Sequence, residues 1–316
     1  MSIPVSTAYV GLDVSKDDLV LAVDGRKETM LFPNKARGHA GLIAYLSDLG
    51  RPLRVALEAT GGYEWPVWEA LDRQGIPVRQ VSPAEVRAFA ASLGQKSKTD
   101  PIDAQVIAAF LAFRPDAGRH LPAEDVRHLR SLATARRQRV DMLTTLKAQT
   151  TRARDAAVRA ADEELIRLVQ SQIDDLDTQI AQALEDERFR KRAHLLRSIK
   201  GIGPVATVTL LAEMPELGTL SAKQIAALTG LAPRARDSGQ RQGIRFIQGG
   251  RKLVRDVLYM AATVAARFNP DLKAFFERLR DKGMPWKKAI IAVARKLIVL
   301  ANAVLKRGKT WKAIAP

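Results

Sequence analysis

The sequence predicts an α/β domain over residues 1–120, a helical coiled-coil connector over residues 121–190 and a mainly α, basic domain over residues 191–316. Three observations support this division. Short apolar runs alternate with helical patterns in the first part, residues 122–190 contain no glycine, and helical periodicity dominates the third part. Alternation of strands with helices is typical of α/β domains.

The first part contains five predicted strands and four predicted helices. Strands are predicted at residues 8–14, 19–23, 28–32, 53–57 and 77–81, and helices at residues 38–49, 64–74, 83–93 and 100–113. Asp24-Gly25 is a strong hairpin signal between the second and third strands. The order β-β-β-α-β-α-β-α-α is that of a ribonuclease-H-like fold, in which an antiparallel meander joins a parallel half.

The connector carries a heptad pattern. Its apolar seam alternates steps of three and four, as in a coiled coil, and consists of Ile166, Val169, Ile173, Leu176, Ile180 and Ala183. The pattern fits a helical hairpin or coiled coil that joins two domains or dimerises, and it also fits a plain helical linker.

The third part reads as helices interrupted by one irregular stretch. Residues 233–251 hold four glycines and five arginines, and helices are predicted again at residues 253–268 and 285–305. Further upstream, residues 196–206 resemble a helix-hairpin-helix, in which a Gly-x-Gly turn presents backbone N–H groups to a phosphate. Lys200, Gly201 and Gly203 are the residues of that turn. A simple turn between two helices is the alternative.

Composition excludes several classes of protein. The chain has 316 residues and no cysteine, so disulfides, cysteine-ligated metal sites and thiol nucleophiles are excluded. No apolar run reaches the roughly 18 residues of a membrane span, and residues 1–15 lack the pattern of a signal peptide. We therefore expect a cytoplasmic, nucleoid-associated protein with no membrane partner.

The net charge of +17 is unevenly distributed. Lys and Arg number 14, 12 and 25 in residues 1–120, 121–190 and 191–316, against 14, 13 and 7 Asp and Glu. The whole excess therefore lies in the third part, which predicts a nucleic-acid partner there. A generally basic protein without such a partner is the alternative.

Four acids are candidate metal ligands. Asp13 and Glu58 end the first and fourth strands, which are neighbours in a ribonuclease-H-like sheet, and Asp100 and Asp103 share one helix face. Converging carboxylates need a cation, and their oxygens suit Mg²⁺ or Mn²⁺. Such ions activate the attacking oxygen in phosphodiester cleavage. Each acid also has an ordinary interpretation as a turn residue, an exposed strand end or part of a helix start.

Ser238 is a candidate nucleophile within the Arg/Gly stretch. A hydroxyl needs a base or a metal to activate it, and no nearby histidine is available. Taken alone, a serine in such a loop is most simply a turn residue. The neighbouring arginines could clamp a phosphate and stabilise the transition state. The predicted nucleic-acid-binding residues, besides the Gly-x-Gly turn, are Lys96, Lys98, Arg234, Arg236, Arg241, Arg245, Arg251 and Arg255.

These residues carry a resemblance to a known family. YVGLDVSK around Asp13, ALEATGGYE around Glu58 and KSKTDPIDAQVIA around Asp100 and Asp103 resemble the DEDD transposases of bacterial insertion sequences, whose N-terminal domain is RuvC-like. LRSIKGIGPVATVTLLAEM, LTGLAPRARDSG and GGRKLVRDVLYMAA resemble the C-terminal domain of the same family. The likeness extends over about residues 8–305.

The resemblance implies an RNA-guided recombinase. A bridge RNA transcribed from the element would pair with donor and target DNA, and the four acids would bind Mg²⁺. Ser238 would form a covalent 5′-phosphoserine, in an active site shared between the subunits of a dimer or tetramer. Three alternatives stay open: a junction resolvase in which water attacks, a non-catalytic architectural protein and an actin-like sugar kinase suggested by GLDVS, which the basic third part disfavours.

Overall fold

The protein forms two compact units, residues 1–121 and 122–316. The computed structural model describes residues 7–95, 99–233 and 245–313. The first division coincides with the end of the predicted α/β domain. The helices of the predicted connector contribute to the core of the second unit, and the separate connector remains a prediction.

The first unit is built on a five-stranded sheet. Its strands are β1 Ala8–Val14, β2 Asp18–Val23, β3 Thr29–Pro33, β4 Leu53–Glu58 and β5 Val78–Val81. Their order is β3-β2-β1-β4-β5. The β1–β2 and β2–β3 pairs are antiparallel, whereas β1–β4 and β4–β5 are parallel. This mixed topology is consistent with a ribonuclease-H-like fold.

Four helices accompany the sheet: α1 Ala36–Asp48, α2 Trp65–Arg73, α3 Pro83–Ser92 and α4 Asp100–Phe113. Helices pack on both faces because the buried strands carry apolar residues on alternating sides. Leu12 and Leu57 pack with α1 and α2 on one face, and Ala56 packs with α3 and α4 on the other. The ends of the predicted elements differ from the observed ones by at most two residues, which confirms the mixed α/β prediction.

The second unit is helical in the part that the structure describes, apart from its connecting segments. Its helices are α5 Glu124–Thr150, α6 Ala156–Leu184, α7 Glu187–Arg197, α8 Pro204–Glu213, α9 Ala222–Leu228, α10 Lys252–Phe268, α11 Pro270–Asp281 and α12 Trp286–Arg307. A single large apolar cluster joins α5–α8 to α10–α12. No helix among the described residues is long and apolar enough to cross a membrane.

The heptad seam of α6 is buried within the chain. Val169 and Ile173 pack against Leu143 of α5, and Ile180 enters the main core of the second unit. A bidentate pair between Arg136 and Asp177 also links α5 to α6. The pattern thus reports a helical hairpin inside one chain, and homo-oligomerisation remains a prediction without support from this seam.

Candidate active site

Asp13 and Glu58 lie at the same end of two neighbouring strands. In the parallel β1–β4 pair, Leu12 is the partner of Leu57, and each acid is the next residue. The strands of a sheet lie about 4.8 Å apart. The predicted adjacency of the first and fourth strands is confirmed, and the observed register puts the backbones of these two acids side by side.

Both acids are on the face of the sheet that α4 covers. Side chains two residues apart on a strand share a face, so Asp13 lies on the same face as Gly11, and Glu58 on the same face as Ala56. A Cβ on Gly11 would lie only 2.1 Å from the carbonyl oxygen of Ala104. The backbone of α4 therefore rests directly on β1, and Ala56 packs against the same helix.

The first turn of α4 lies near the end of β1 that carries Asp13. Val20 is the cross-strand partner of Asp13, and Val20 packs with Ala104, the residue that follows Asp103 along α4. Asp103 is partly buried and Asp100 is exposed. Acids in a first helical turn are stabilised by the helix dipole. Thr99 occupies the N-cap without a side-chain cap hydrogen bond, and Asp100 and Asp103 lie in the first turn. The ordinary interpretation of these two acids as part of a helix start therefore also fits the structure.

The four carboxylates fit a hard divalent cation by their chemistry, since oxygen ligands suit Mg²⁺ and Mn²⁺. Across residues 7–95, 99–233 and 245–313, however, no group of three or more Asp, Glu, His or Cys side chains is arranged to hold a metal ion. The fold brings the acids to one edge of the sheet and to one helix start, and metal binding there remains a proposal.

Asn34 connects the two segments that follow the strand-end acids. Its Nδ2 group donates to the carbonyl oxygens of Ser15, at 2.8 Å, and Tyr63, at 3.1 Å. His39 Nε2 lies 2.8 Å from Asn34 Oδ1, and burial lowers the pKa of His39. Ser15 itself closes the β1–β2 turn through Asp18. Sequence reasoning missed Asn34, whose only signal is an Asn at the end of a strand.

Glu64 is a second residue that sequence reasoning missed. Its side chain is buried, and Oε2 accepts hydrogen bonds from Thr60 N at 3.2 Å, Thr60 Oγ1 at 3.1 Å and Gly62 N at 2.9 Å. Gln80 Nε2 donates to Oε1 at 2.9 Å. Glu64 thereby holds the turn that directly follows Glu58. The signal was the short ATGGYE segment, which closes with this acid.

The Thr60–Gly62 turn has a backbone conformation that favours glycine. Gly61 and Gly62 adopt positive φ values of 76° and 118°, and a Cβ on Gly61 would meet no atom within 4 Å. Glycine is favoured here by the backbone conformation of the turn, since nothing packs closely against it.

Several predicted residues lie outside the described residues: Lys96, Lys98, Arg234, Arg236, Ser238 and Arg241. The chain is described on either side of residues 234–244, which contain Ser238 and are called the serine stretch. A Cβ on Gly230 would lie 2.0 Å from the carbonyl oxygen of Gly249. The backbone segments before and after the serine stretch are therefore in direct contact. A Cβ on Gly250 would likewise lie 2.2 Å from Gly230 N, so this approach requires glycine at 230 and 250, and both have positive φ.

The arginines after the serine stretch differ in their surroundings. Arg251 forms an ion pair with Glu216 and donates to the backbone of Glu213. Arg255 donates to the carbonyl oxygen of Gly249. Arg245 is exposed. Arg251 and Arg255 therefore make contacts within the second unit that stabilise residues 249–251, and their binding to nucleic acid remains a prediction.

The predicted Gly-x-Gly hairpin joins α7 to α8. Gly201 has φ of 109°, and a Cβ there would lie 2.5 Å from the Cβ of Ala265 on α10. Gly203 caps α8 and has open space around it, and Lys200 is exposed. Gly201 is thus required for packing, whereas Lys200 and Gly203 are accessible to a phosphate.

Comparisons with known proteins agree with this arrangement. A family model of DEDD transposases of the IS110 type, described as "Transposase", matches residues 10–158. A second, described as "Transposase IS116/IS110/IS902 family", matches residues 193–277. The first contains all four acids, and the second contains Ser238.

Curated relatives are similar over nearly the whole chain. A "Pilin gene-inverting protein" of Moraxella lacunata is 29% identical over 324 residues, covering 97% of this chain and 98% of the relative. The "Insertion element IS116 uncharacterized 44.8 kDa protein" of Streptomyces clavuligerus is 25% identical over 387 residues, covering 98% and 97%.

The fold, the order of the acids and these matches define a DNA transposase or recombinase. The chain belongs to the DEDD transposases of insertion sequences, in the group typified by IS110 and IS116.

Proposed function

We propose that this protein is an RNA-guided DNA transposase that cleaves and exchanges strands of an insertion element and its target. One observation carries the metal-dependent cleavage step, whereas the RNA guide is what the resemblance to the family implies. Asp13 and Glu58 follow partnered residues of β1 and β4, on the sheet face where the backbone of α4 rests on Gly11. A RuvC-like nuclease site needs carboxylates from two strand ends and one helix, and this is where the sequence supplies them.

Asp13, Glu58, Asp100 and Asp103 would hold Mg²⁺ or Mn²⁺. When bound, such an ion supplies electrostatic stabilisation of the phosphate and lowers the pKa of an attacking oxygen. The chain's own contribution is to keep the carboxylates in place. Asn34 ties together the segments after the first two acids, and Glu64 fixes the turn after Glu58.

Ser238 is the proposed nucleophile. Its hydroxyl oxygen forms a bond to phosphorus, the bond from phosphorus to the 3′ oxygen breaks, and the serine proton is released while the leaving oxygen gains a proton to become a 3′ hydroxyl. The product is a 5′-phosphoserine linkage. The arginines around Ser238 would stabilise the charge that develops on the phosphate oxygens.

The partners follow from the same proposal. Donor and target DNA would be held by the basic residues of the third part of the chain, and a bridge-type RNA encoded by the element would select both DNA sites. Two DNA sites require at least two active sites, so we propose a dimer or tetramer. The pilin gene-inverting relatives are named for an inversion reaction, which also exchanges strands between two sites.

The experiment incubates the purified protein with Mg²⁺, the RNA transcribed from the element's end and labelled DNA carrying the donor or target site. A denaturing gel then shows whether DNA becomes covalently attached to protein. We expect an adduct with the wild-type protein and no adduct with Ser238→Ala or Asp13→Asn. Asp17→Asn is the matched control, because Asp17 is an exposed acid in the adjoining turn.

Each other outcome favours a named alternative. DNA nicking that survives Ser238→Ala would indicate a resolvase in which water attacks. Retained binding with no Mg²⁺-dependent chemistry in any protein would indicate an architectural role. An adduct that forms equally well without RNA would remove the guide from the proposal.

A further inference from the structure

A basic groove lies in the second unit, whereas the four candidate metal ligands belong to the first unit. It has a volume of about 900 Å³ and is formed mainly by one side of α12, with contributions from α9, α11 and residues 231, 233 and 245–247. Ligand pockets commonly measure about 300–1,000 Å³. The groove is therefore large enough for a nucleotide-sized group.

The rim and the floor of the groove have different chemistry. Among the described residues, its lining includes the cations Lys223, Arg245, Lys287, Lys288, Arg295 and Lys296. No acid lines it within that same described part of the chain. The floor is apolar and includes Leu231, Phe275, Ile291 and Val299.

The spacing along α12 explains this combination. Positions 288, 291, 292, 295, 296 and 299 recur at three- and four-residue steps, so they share one side of the helix. The opposite side, which includes Val293 and Leu297, is buried in the core. The side that lines the groove thus alternates cations with small or branched apolar residues, a pattern that packing inside this unit does not require.

The cations of α12 are not committed to ion pairs. Among the residues that the structure describes, no acidic side chain pairs with Lys287, Lys288 or Arg295, and all three are exposed. Lys296 Nζ lies 4.3 Å from the centre of the Phe275 ring, which fixes one cation at the rim through a cation–π contact.

We propose that this groove binds one or a few unpaired nucleotides of a single strand. The exposed cations of α12 would contact phosphates, and the apolar floor with Phe275 would receive a base, much as single-strand-binding proteins combine a positive groove with aromatic side chains. An acidic peptide would be attracted by the cations alone, whereas the uncharged floor favours a ligand with a flat apolar face between charges. The inference rests on the proposed function, in which strand exchange exposes unpaired nucleotides, and both DNA and RNA could supply them.

The test measures binding of labelled single strands to the full-length protein over a range of salt concentrations. The double variant Lys288→Gln/Arg295→Gln removes two rim cations. We expect binding to weaken by about tenfold and the slope of log affinity against log salt to become shallower by about 1.4, because each single-strand phosphate contact contributes about 0.7. The matched control is Arg190→Gln/Lys191→Gln, which removes the same charges from exposed sites on α7.

Abasic strands test the floor without altering the protein. They keep every phosphate but lack bases, so we expect them to bind the wild-type protein less tightly than normal strands. The Lys288→Gln/Arg295→Gln variant should discriminate less between the two. The same measurements with DNA strands and with RNA strands show which of the two nucleic acids the groove binds more tightly.

Equal losses in both double variants, or equal binding of abasic and normal strands, would overturn the proposal. A change in sedimentation of Lys288→Gln/Arg295→Gln with unaltered nucleic-acid binding would also overturn it, because it would identify the groove as a contact between copies of the chain. Failure of the catalytic proposal is recognised separately, by the absence of a Ser238-dependent adduct in the wild-type protein.

Discussion

The contact between Gly11 and α4 allows a quantitative prediction. In Gly11→Ala, the new Cβ would lie 2.1 Å from Ala104 O and 2.5 Å from Ala108 N. Both contacts are with backbone atoms, so no side chain can rotate away. Restoring ordinary van der Waals contact, about 3.5 Å, requires α4 to move by more than 1 Å relative to β1.

That displacement has two consequences. Overpacking of a close-packed core costs about 1–3 kcal/mol in the free energy of unfolding. The first turn of α4, which carries Asp100 and Asp103, would move away from Asp13 and Glu58. A misplacement of about 1 Å at an active site can lower the rate about 100-fold. We therefore expect Gly11→Ala to lose DNA cleavage while it remains folded at low temperature.

The assay combines urea unfolding with the rate of DNA cleavage in Mg²⁺. Gly41→Ala is the matched control, because a Cβ at Gly41 would make ordinary contacts of 3.6 and 3.7 Å with the Phe32 ring. In a helix interior, alanine is about 1 kcal/mol more favourable than glycine. Wild-type cleavage and stability in Gly11→Ala would refute the placement of α4 against β1.

Three further predictions concern the loops and the core. Asn34→Ala should reduce cleavage about tenfold or more with a loss of stability of about 1–3 kcal/mol, and Asn34→Asp, which lacks the donor, should fail equally; wild-type cleavage in both would exclude the bridge between the loops. Glu64→Gln, measured by cleavage against Mg²⁺ concentration, should lower the rate because a neutral amide accepts backbone hydrogen bonds more weakly; an unchanged curve would contradict this. Burial lowers the pKa of His39, so the unfolded state binds the proton more readily, and the stability that neutral His39 contributes is lost as the pH falls below about 6.5. Thermal unfolding at pH 8 and pH 5 should therefore show a smaller loss of stability at pH 5 in His39→Gln than in the wild type. An equal loss of stability in both proteins would contradict this role of His39.

The positions of Asp13 and Glu58 at strand ends could be predicted because local apolar runs indicate the strands. The apolar runs that end at Asp13 and Glu58 predicted the two strands, and the order of elements predicted that these strands are neighbours, as they are in the structure. The contact of Gly11 with Ala104 was not predictable in this way. It depends on two backbones 93 residues apart in sequence meeting without a side chain between them.

Other features escaped prediction for similar reasons. The bonds of Asn34 to Ser15 and Tyr63 join three turns, and no periodicity encodes hydrogen bonds between turns. The heptad pattern of α6 specified an apolar seam, but not whether its partner was another copy or the same chain. The structure assigns the seam to α5 and the helical core. Arg251 could be recognised as a cation, but its pairing with Glu216 could not.

We propose that DNA strands are exchanged through a serine linkage, supported by the acids of β1, β4 and α4. The most direct measurement is to form the protein–DNA adduct in Mg²⁺, digest it with protease and nuclease, and identify the modified peptide by mass spectrometry. We predict a nucleotide phosphate on Ser238 and no adduct from Asp13→Asn. A phosphate on another residue, such as the exposed Tyr63 that follows Glu58, or cleavage with no linked peptide, would contradict the account.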